Sequence, residues 1–131
     1  MIGIDTNILL RLWLNDDPGQ SKRLDVLLAQ HGQAPGAVLV TDVVLAEAVW
    51  TLKSAYDQDK AAQLLAVRSL LDEPAFAFED RAAVPQALAL FEAATCGFSD
   101  CLVAAKHASR GCAFTATFDR GMRKLPGVRL V

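Results

Sequence analysis

Histidine and cysteine are scarce in this 131-residue chain, with two of the first and three of the second. Cys96, Cys101 and Cys112 are odd in number and contain no C-x2-C pair. Neither a disulfide framework nor a structural zinc site is expected from them, and the plainest role for the thiols is as small buried hydrophobes. His31 and His107 are the only imidazoles, one reading as loop and the other as mid-helix, which disfavours both zinc coordination and ribonuclease chemistry built on a histidine pair. No apolar run reaches the roughly 18 residues that cross a bilayer. The N-terminus also lacks a basic region followed by an apolar stretch and a small-residue cleavage site, so a cytoplasmic protein without a membrane partner is expected. A phosphate loop of the G-x-x-x-x-G-K-[ST] kind and a G-x-S-x-G elbow are absent as well.

What is present is apolar material. Hydrophobic residues make up 53% of the chain and its mean hydropathy is +0.26. That is ample for a core and slightly rich for a monomer's surface, so self-association is expected. The length suits a single domain over residues 1–131. A formal net charge of −2 argues against a generic nucleic-acid coat, although the distribution of charge matters more than its sum.

Short apolar runs alternate with longer segments of helical spacing. "MIGI" reads as a first strand and "NILLRLWL" as a helix, followed by a turn at "NDDPG". "QSKRLDVLLAQHG" is a helix stopped at Gly32. "AVLV" (37–40) is a second strand, and residues 41–56 form a helix capped by Thr41 or Asp42. Another helix covers 59–71, with Leu64, Leu65, Leu70 and Leu71 on or near its inner face. "AFAF" (75–78) is a third strand, and Asp80 caps a helix over 81–95. A last helix over 99–111 stops at Gly111, before strands at 112–117 and at the terminal "VRLV". Strands of four to six residues between helices of ten or more indicate an α/β three-layer sandwich, with a mostly parallel sheet of four to five strands flanked by helices.

In open parallel sheets, sites form beyond the carboxyl ends of the strands. Asp5, Asp42 and Asp119 follow strands there directly or nearly so. Two further acids stand out by context. Glu47 is the only charge in "VVLAEAVWTL", a helix apolar enough to be covered on most sides, so it is expected to need a partner. Asp100 is the only charge in "CGFSDCLVAA" and falls in the first turn of its helix, where a carboxylate is favoured. No Lys or Arg stands three or four residues from Glu47 or Asp100. Each acid has a plain structural role to weigh against a functional one: Asp42, Asp100 and Asp5 as helix caps, and Asp119 as a turn residue. Glu47 fits such a role least well. On one parallel sheet these acids would gather at one edge.

Clustered carboxylates repel one another and hold protons unless cations compensate. Mg²⁺ and Mn²⁺ prefer oxygen ligands, and two such ions about 4 Å apart suit phosphodiester hydrolysis by activated water. Setting Asp5, Glu47, Asp100 and Asp119 aside from the fifteen acids leaves eleven against thirteen basic residues, a formal +2. Arg110, Arg120, Arg123, Lys124 and Arg129 crowd the C-terminal part, where Asp119 is the sole acid. Arg120, Arg123 and Lys124 are candidates to hold a phosphate backbone, with Arg11 a weaker one; a solvated loop is the plain alternative. Trp13 and Trp50 could stack on bases, but core packing is the better expectation for both.

Four segments, "IDTNILLR" (4–11), "TDVVLAE" (41–47), "GFSDCLVAA" (97–105) and "TFDRGM" (117–122), resemble the PIN-domain family, in particular the VapC-type toxin ribonucleases of toxin–antitoxin pairs. Each motif alone is weak; their order and spacing over nearly the whole chain is specific. The resemblance assigns the metal-site acids to Asp5, Glu47, Asp100 and Asp119, and supporting hydrogen bonds to Thr6, Asn7 and Thr117. Cys101 stands where such proteins commonly have alanine, which implies a packing effect only. The resemblance further implies Mg²⁺ or Mn²⁺, an RNA substrate cut endonucleolytically, a homodimer and a cognate antitoxin whose tail lies over the active-site groove.

Other readings are poorer. A receiver-like phosphoacceptor domain wants an acid pair at the first strand end, where this chain has Asp5 followed by Thr6 and Asn7. A haloacid-dehalogenase-type phosphatase wants an acid at the place of Asn7. A binding module that keeps the fold without chemistry is the remaining alternative.

Overall fold

The computed structural model describes all residues 1–131. Its first strand, β1 (Ile2–Gly3), is followed after Ile4 by Asp5, the N-cap of helix α1 (Thr6–Leu14). Asn15 ends α1 in the left-handed conformation (φ 50°), its N–H donating to the Arg11 carbonyl. Helix α2 (Pro18–His31) starts two residues earlier than the "NDDPG" turn suggests. Asp17 caps it, accepting from the Gln20 N–H at 3.0 Å, and Pro18 fills the first helical position, where no N–H is missed. His31 is therefore the last residue of a helix and not a loop residue. Gly32 ends α2 without left-handed geometry (φ −105°); a Cβ there would stand 3.0 Å from the Leu28 carbonyl oxygen.

Strand β2 (Val38–Val40) leads into α3 (Asp42–Ser54), then α4 (Lys60–Asp72) and β3 (Phe76–Phe78). Thr41 caps α3 and Asp42 is its first helical residue, a better arrangement because the Thr41 hydroxyl accepts from Val44 N–H while the Asp42 N–H donates to Glu79. The three strands form one parallel sheet in the order β1-β2-β3, with Ile2 opposite Val38 and Val38 opposite Phe76. This first compact unit, Met1–Glu79, buries Leu9 and Leu10 of α1, Leu45 and Val49 of α3 and Val67 and Leu70 of α4.

Two expectations for this unit need correction. Leu65 is 69% exposed, because the buried stripe of α4 runs through Gln63, Leu64, Val67 and Leu70. Trp50 is 64% exposed, on the face of α3 that carries Val43 and Glu47, one and two helical turns apart. Trp13 is only partly exposed, with its indole N–H buried.

The second unit spans Asp80–Val131. It contains α5 (Ala83–Ala93), α6 (Phe98–Ser109), β4 (Thr115–Thr117), a 3₁₀ turn at Arg120–Met122 and β5 (Val128–Leu130). Asp80 accepts from the Ala83 N–H at 3.2 Å but is not the cap expected of it, because α5 starts at Ala83, two residues later than the spacing predicts, with Ala82 at its N-cap. Val84, Ala87, Leu88 and Phe91 line the buried face of α5, and Phe98, Cys101, Leu102 and Ala105 that of α6, both at helical spacing. Phe91 and Phe98 meet edge to face at 5.9 Å. Gly111 ends α6 with φ 81°, a conformation that disfavours any side chain. Strands β4 and β5 pair in parallel, Thr115 opposite Val128. The five strands thus form a three-stranded and a two-stranded parallel ladder in place of one sheet of four or five. No helix is long and apolar enough to cross a membrane.

Burial separates two leucines that look alike in the sequence. Leu45→Ala should cost about 3 kcal/mol, since Leu45 is 1% exposed, and Leu65→Ala less than about 0.5 kcal/mol. Urea denaturation of the two variants checks the contrast.

Candidate active site

Asp5 leaves the end of β1 and turns its carboxylate onto the start of α1, accepting from the Thr6 N–H at 2.7 Å. The side chain is otherwise exposed, whereas Thr6 is buried. Asn7 is exposed and lines a shallow cavity of about 360 Å³ with Ile8, Arg11 and Arg23. Arg11 is already engaged: it pairs with Asp16 and donates to the Tyr56 hydroxyl at 2.7 Å. Sequence spacing points to none of that, because Tyr56 reaches Arg11 only through the packing of the first unit. Glu47 is exposed on α3. This corrects the expectation of a covered acid: the apolar residues around it divide between a buried face (Leu45, Ala48, Val49) and an open one (Val43, Trp50), so water solvates its carboxylate and no partner is required.

In the second unit Asp100 is the third residue of α6, after the N-cap Gly97. Burial pushes its carboxyl above the usual aspartate range, and the charge of Asp119 pushes it in the same direction, while a hydrogen bond from the Gly97 backbone opposes both. Asp119 caps the 3₁₀ turn, accepting from the Gly121 N–H at 2.7 Å. Thr117 positions this acid: its hydroxyl accepts from the Asp119 N–H at 3.0 Å. The structure therefore brings Asp100 and Asp119 into each other's field, and sets Asp5 and Glu47 in the first unit. No three histidine, cysteine, aspartate or glutamate side chains form a cluster able to hold a metal ion.

Arg120, Arg123 and Lys124 are exposed and line one depression of about 390 Å³ together with Thr95 and Gly121. Thr95 gave no signal in the sequence; it joins the basic side chains through the fold of the second unit. Phe118 was also missed. It is 85% exposed between Thr117 and Asp119, a large apolar ring left in water next to one charged residue, and so is more open to a partner than Trp13.

The family model of the PIN domain matches residues 2–128. The chain belongs to the PIN domain family. That match runs through both compact units and nearly the full length, and it makes the α/β arrangement a PIN-like fold. PIN domains are a nuclease fold whose members are generally metal-dependent, so at this level the chain is a hydrolase-type nuclease. No curated protein matches it. The donors fit a hard divalent cation in chemistry: Asp100 and Asp119 offer oxygen only, and although burial is the main reason the Asp100 carboxyl is raised, the added repulsion from Asp119 is what a bound cation would relieve.

The direction of that shift sets a pH dependence. Folded Asp100 keeps its proton to higher pH than the unfolded chain does, so the native state binds more protons just above the ordinary aspartate pKa. Stability from this group therefore falls as pH rises through that window, and stays lower at neutral pH. In metal-free buffer Asp100→Asn should melt at or slightly above the wild type at pH 7, by no more than about 2 °C because the group is partly solvated. The gap should close below the ordinary aspartate pKa, and thermal melts at several pH values test it.

Proposed function

We propose that this PIN domain is a Mg²⁺- or Mn²⁺-dependent endoribonuclease, the toxin of a VapC-type toxin–antitoxin pair, acting as one domain and as a homodimer in the cytoplasm. The observation that carries the reading is the Asp100–Asp119 pair: two carboxylates in one field, each fixed by backbone N–H groups, beside a depression lined by Arg120, Arg123 and Lys124. The resemblance to PIN-domain nucleases assigns the metal to Asp5, Glu47, Asp100 and Asp119, and of these Asp100 and Asp119 stand in one field in this structure. When bound, a divalent ion supplies charge neutralisation at the phosphodiester and an activated water as nucleophile.

The chain's own residues do the rest. Thr117 and the Gly121 N–H hold Asp119 in one orientation, and the Thr6 N–H does the same for Asp5. Arg120, Arg123 and Lys124 attract the phosphate backbone, and Phe118 offers a ring for an unstacked base, a combination suited to single-stranded RNA. Arg11 is the weaker candidate for a phosphate contact, because Asp16 and Tyr56 already engage its guanidinium. The antitoxin is expected to present a basic side chain to the acids, with complementary charge.

Incubation with pooled cellular RNA and Mg²⁺ or Mn²⁺ should give fragments with 5′-phosphate and 3′-hydroxyl ends. Asp5→Asn, Glu47→Gln, Asp100→Asn and Asp119→Asn should each lower the rate by roughly a hundredfold or more. Cyclic 2′,3′-phosphate ends, or undiminished cleavage in excess EDTA, would refute the mechanism. Because asparagine also caps helices well, Asp5→Asn should leave the melting temperature of the metal-free protein nearly unchanged. Replacing Arg120, Arg123 and Lys124 by Gln should weaken RNA binding and lower the salt dependence of affinity by about one phosphate contact per residue, while Phe118→Ala should weaken binding with little change in that slope. Filter binding across a salt series separates the two.

A further inference from the structure

Cys96 and Cys101 bracket the start of α6. Cys96 precedes the N-cap Gly97, and Cys101 is the fourth helical residue. A chain turning into a helix brings side chains at these two positions together, and the usual result is an apolar contact that fixes the approach of the chain. Here both members are thiols. Their sulfurs lie 3.9 Å apart and are not bonded as a disulfide. The two differ in access. Cys101 is 0% exposed, whereas Cys96 is partly exposed and lines a cavity of about 350 Å³ with Ala89, Ala93, Leu125 and Pro126. A small oxidant in that cavity meets Cys96, and Cys101 stands behind it within reach. Cys112, the third thiol, is exposed beyond α6.

We propose that Cys96 and Cys101 are an oxidation site, an attacked thiol and its resolving partner that close to a reversible disulfide when the protein meets hydrogen peroxide. The Cys96 sulfur attacks one peroxide oxygen, the O–O bond breaks, and Cys96 becomes a sulfenic acid with release of one water. The Cys101 sulfur then attacks the Cys96 sulfur, forming the S–S bond, and the sulfenic oxygen leaves with the Cys101 proton as a second water. Peroxide is reduced by two electrons, the two thiols are oxidised by two, and a dithiol reverses the change. Closing 3.9 Å to a bond of about 2 Å needs side-chain rotation at the accessible end of the pair. The disulfide pins the turn from Cys96 to Cys101, which includes Asp100.

The full chain offers a clean test, because residues 82–106 form one tryptic peptide holding both cysteines, and Cys112 falls in another. After peroxide, alkylation and digestion, that peptide should be lighter by about 2 Da, the two hydrogens lost, and carry no alkyl group. Dithiothreitol should restore two alkylatable thiols. In Cys101→Ala, Cys96 should remain a sulfenic acid that dimedone traps, with no lighter peptide. In Cys96→Ser, Cys101 should stay reduced, so two independent variants read the same step. Hydrogen exchange of the amides at residues 98–101 should slow in the oxidised protein. Full alkylation of both cysteines after peroxide would overturn the proposal, as would a Cys96 sulfinic acid without the lighter species, or unchanged exchange in the first turn of α6. None of these readouts depends on RNA cleavage, so this site and the nuclease reading fail separately.

Discussion

Three of this protein's acids stand at the starts of helical turns, and there the backbone holds them. Asp5 takes the Thr6 N–H, Asp119 takes the Gly121 N–H, and Asp100 takes a hydrogen bond from Gly97. Each sits where a helix or 3₁₀ turn begins and N–H groups have no partner within the helix. That constraint reconciles two roles that look like alternatives. A cap uses one or two lone pairs of a carboxylate that has about four, so the same group can start a helix and still face outward as an oxygen ligand. The cost is desolvation and then repulsion: burial first, and the charge of Asp119 second, raise the pKa of Asp100.

The electropositive side of the second unit follows the same logic. The 3₁₀ turn that Asp119 caps sets Arg120 and Arg123 on either side of Gly121 and Met122. Met122 is buried while the cations remain in water. One short turn therefore presents an acid and three basic side chains within a few residues. In the proposed reading, an RNA strand would meet both kinds of charge there: cations that attract its phosphates, and acids that a divalent ion would neutralise. Phe118 adds an exposed apolar ring just before Asp119 in the chain.

The α6 start shows how a packing position can acquire chemistry. Contact between the residues flanking a helix N-cap needs only two side chains of modest size, and alanine, valine or leucine would serve. With sulfur at both places the contact is oxidisable, and it adjoins the turn that carries Asp100.

The alternation of strands and helices, the caps Asp5 and Thr41 and the basic C-terminal segment were all legible in the sequence. They rest on local rules: period, cap chemistry and turn residues act within a few residues of one another. Asp5 and Thr41 cap their helices as residue type and position imply, whereas Asp17 and Asp59 cap helices without having been marked by the spacing, and Asp80 stands two residues ahead of the N-cap Ala82. Exposure was not legible. Glu47 in an apolar helix read as covered, and Trp50 and Leu65 as core, yet all three face water. Apolar composition does not say which arc of a helix meets its neighbours; only packing chooses between Leu45 and Val43, or between Leu64 and Leu65. Nor did local rules tie Arg11 to Tyr56 or Thr95 to Lys124. The sequence by itself determined that Asp5 starts a helix and that Asp119 stands in a turn, because backbone N–H groups and side-chain oxygens settle that within one turn. Tertiary structure decided which of those acids share a field, which cations are already engaged and which sulfurs touch, because each depends on groups that meet only after the chain has folded.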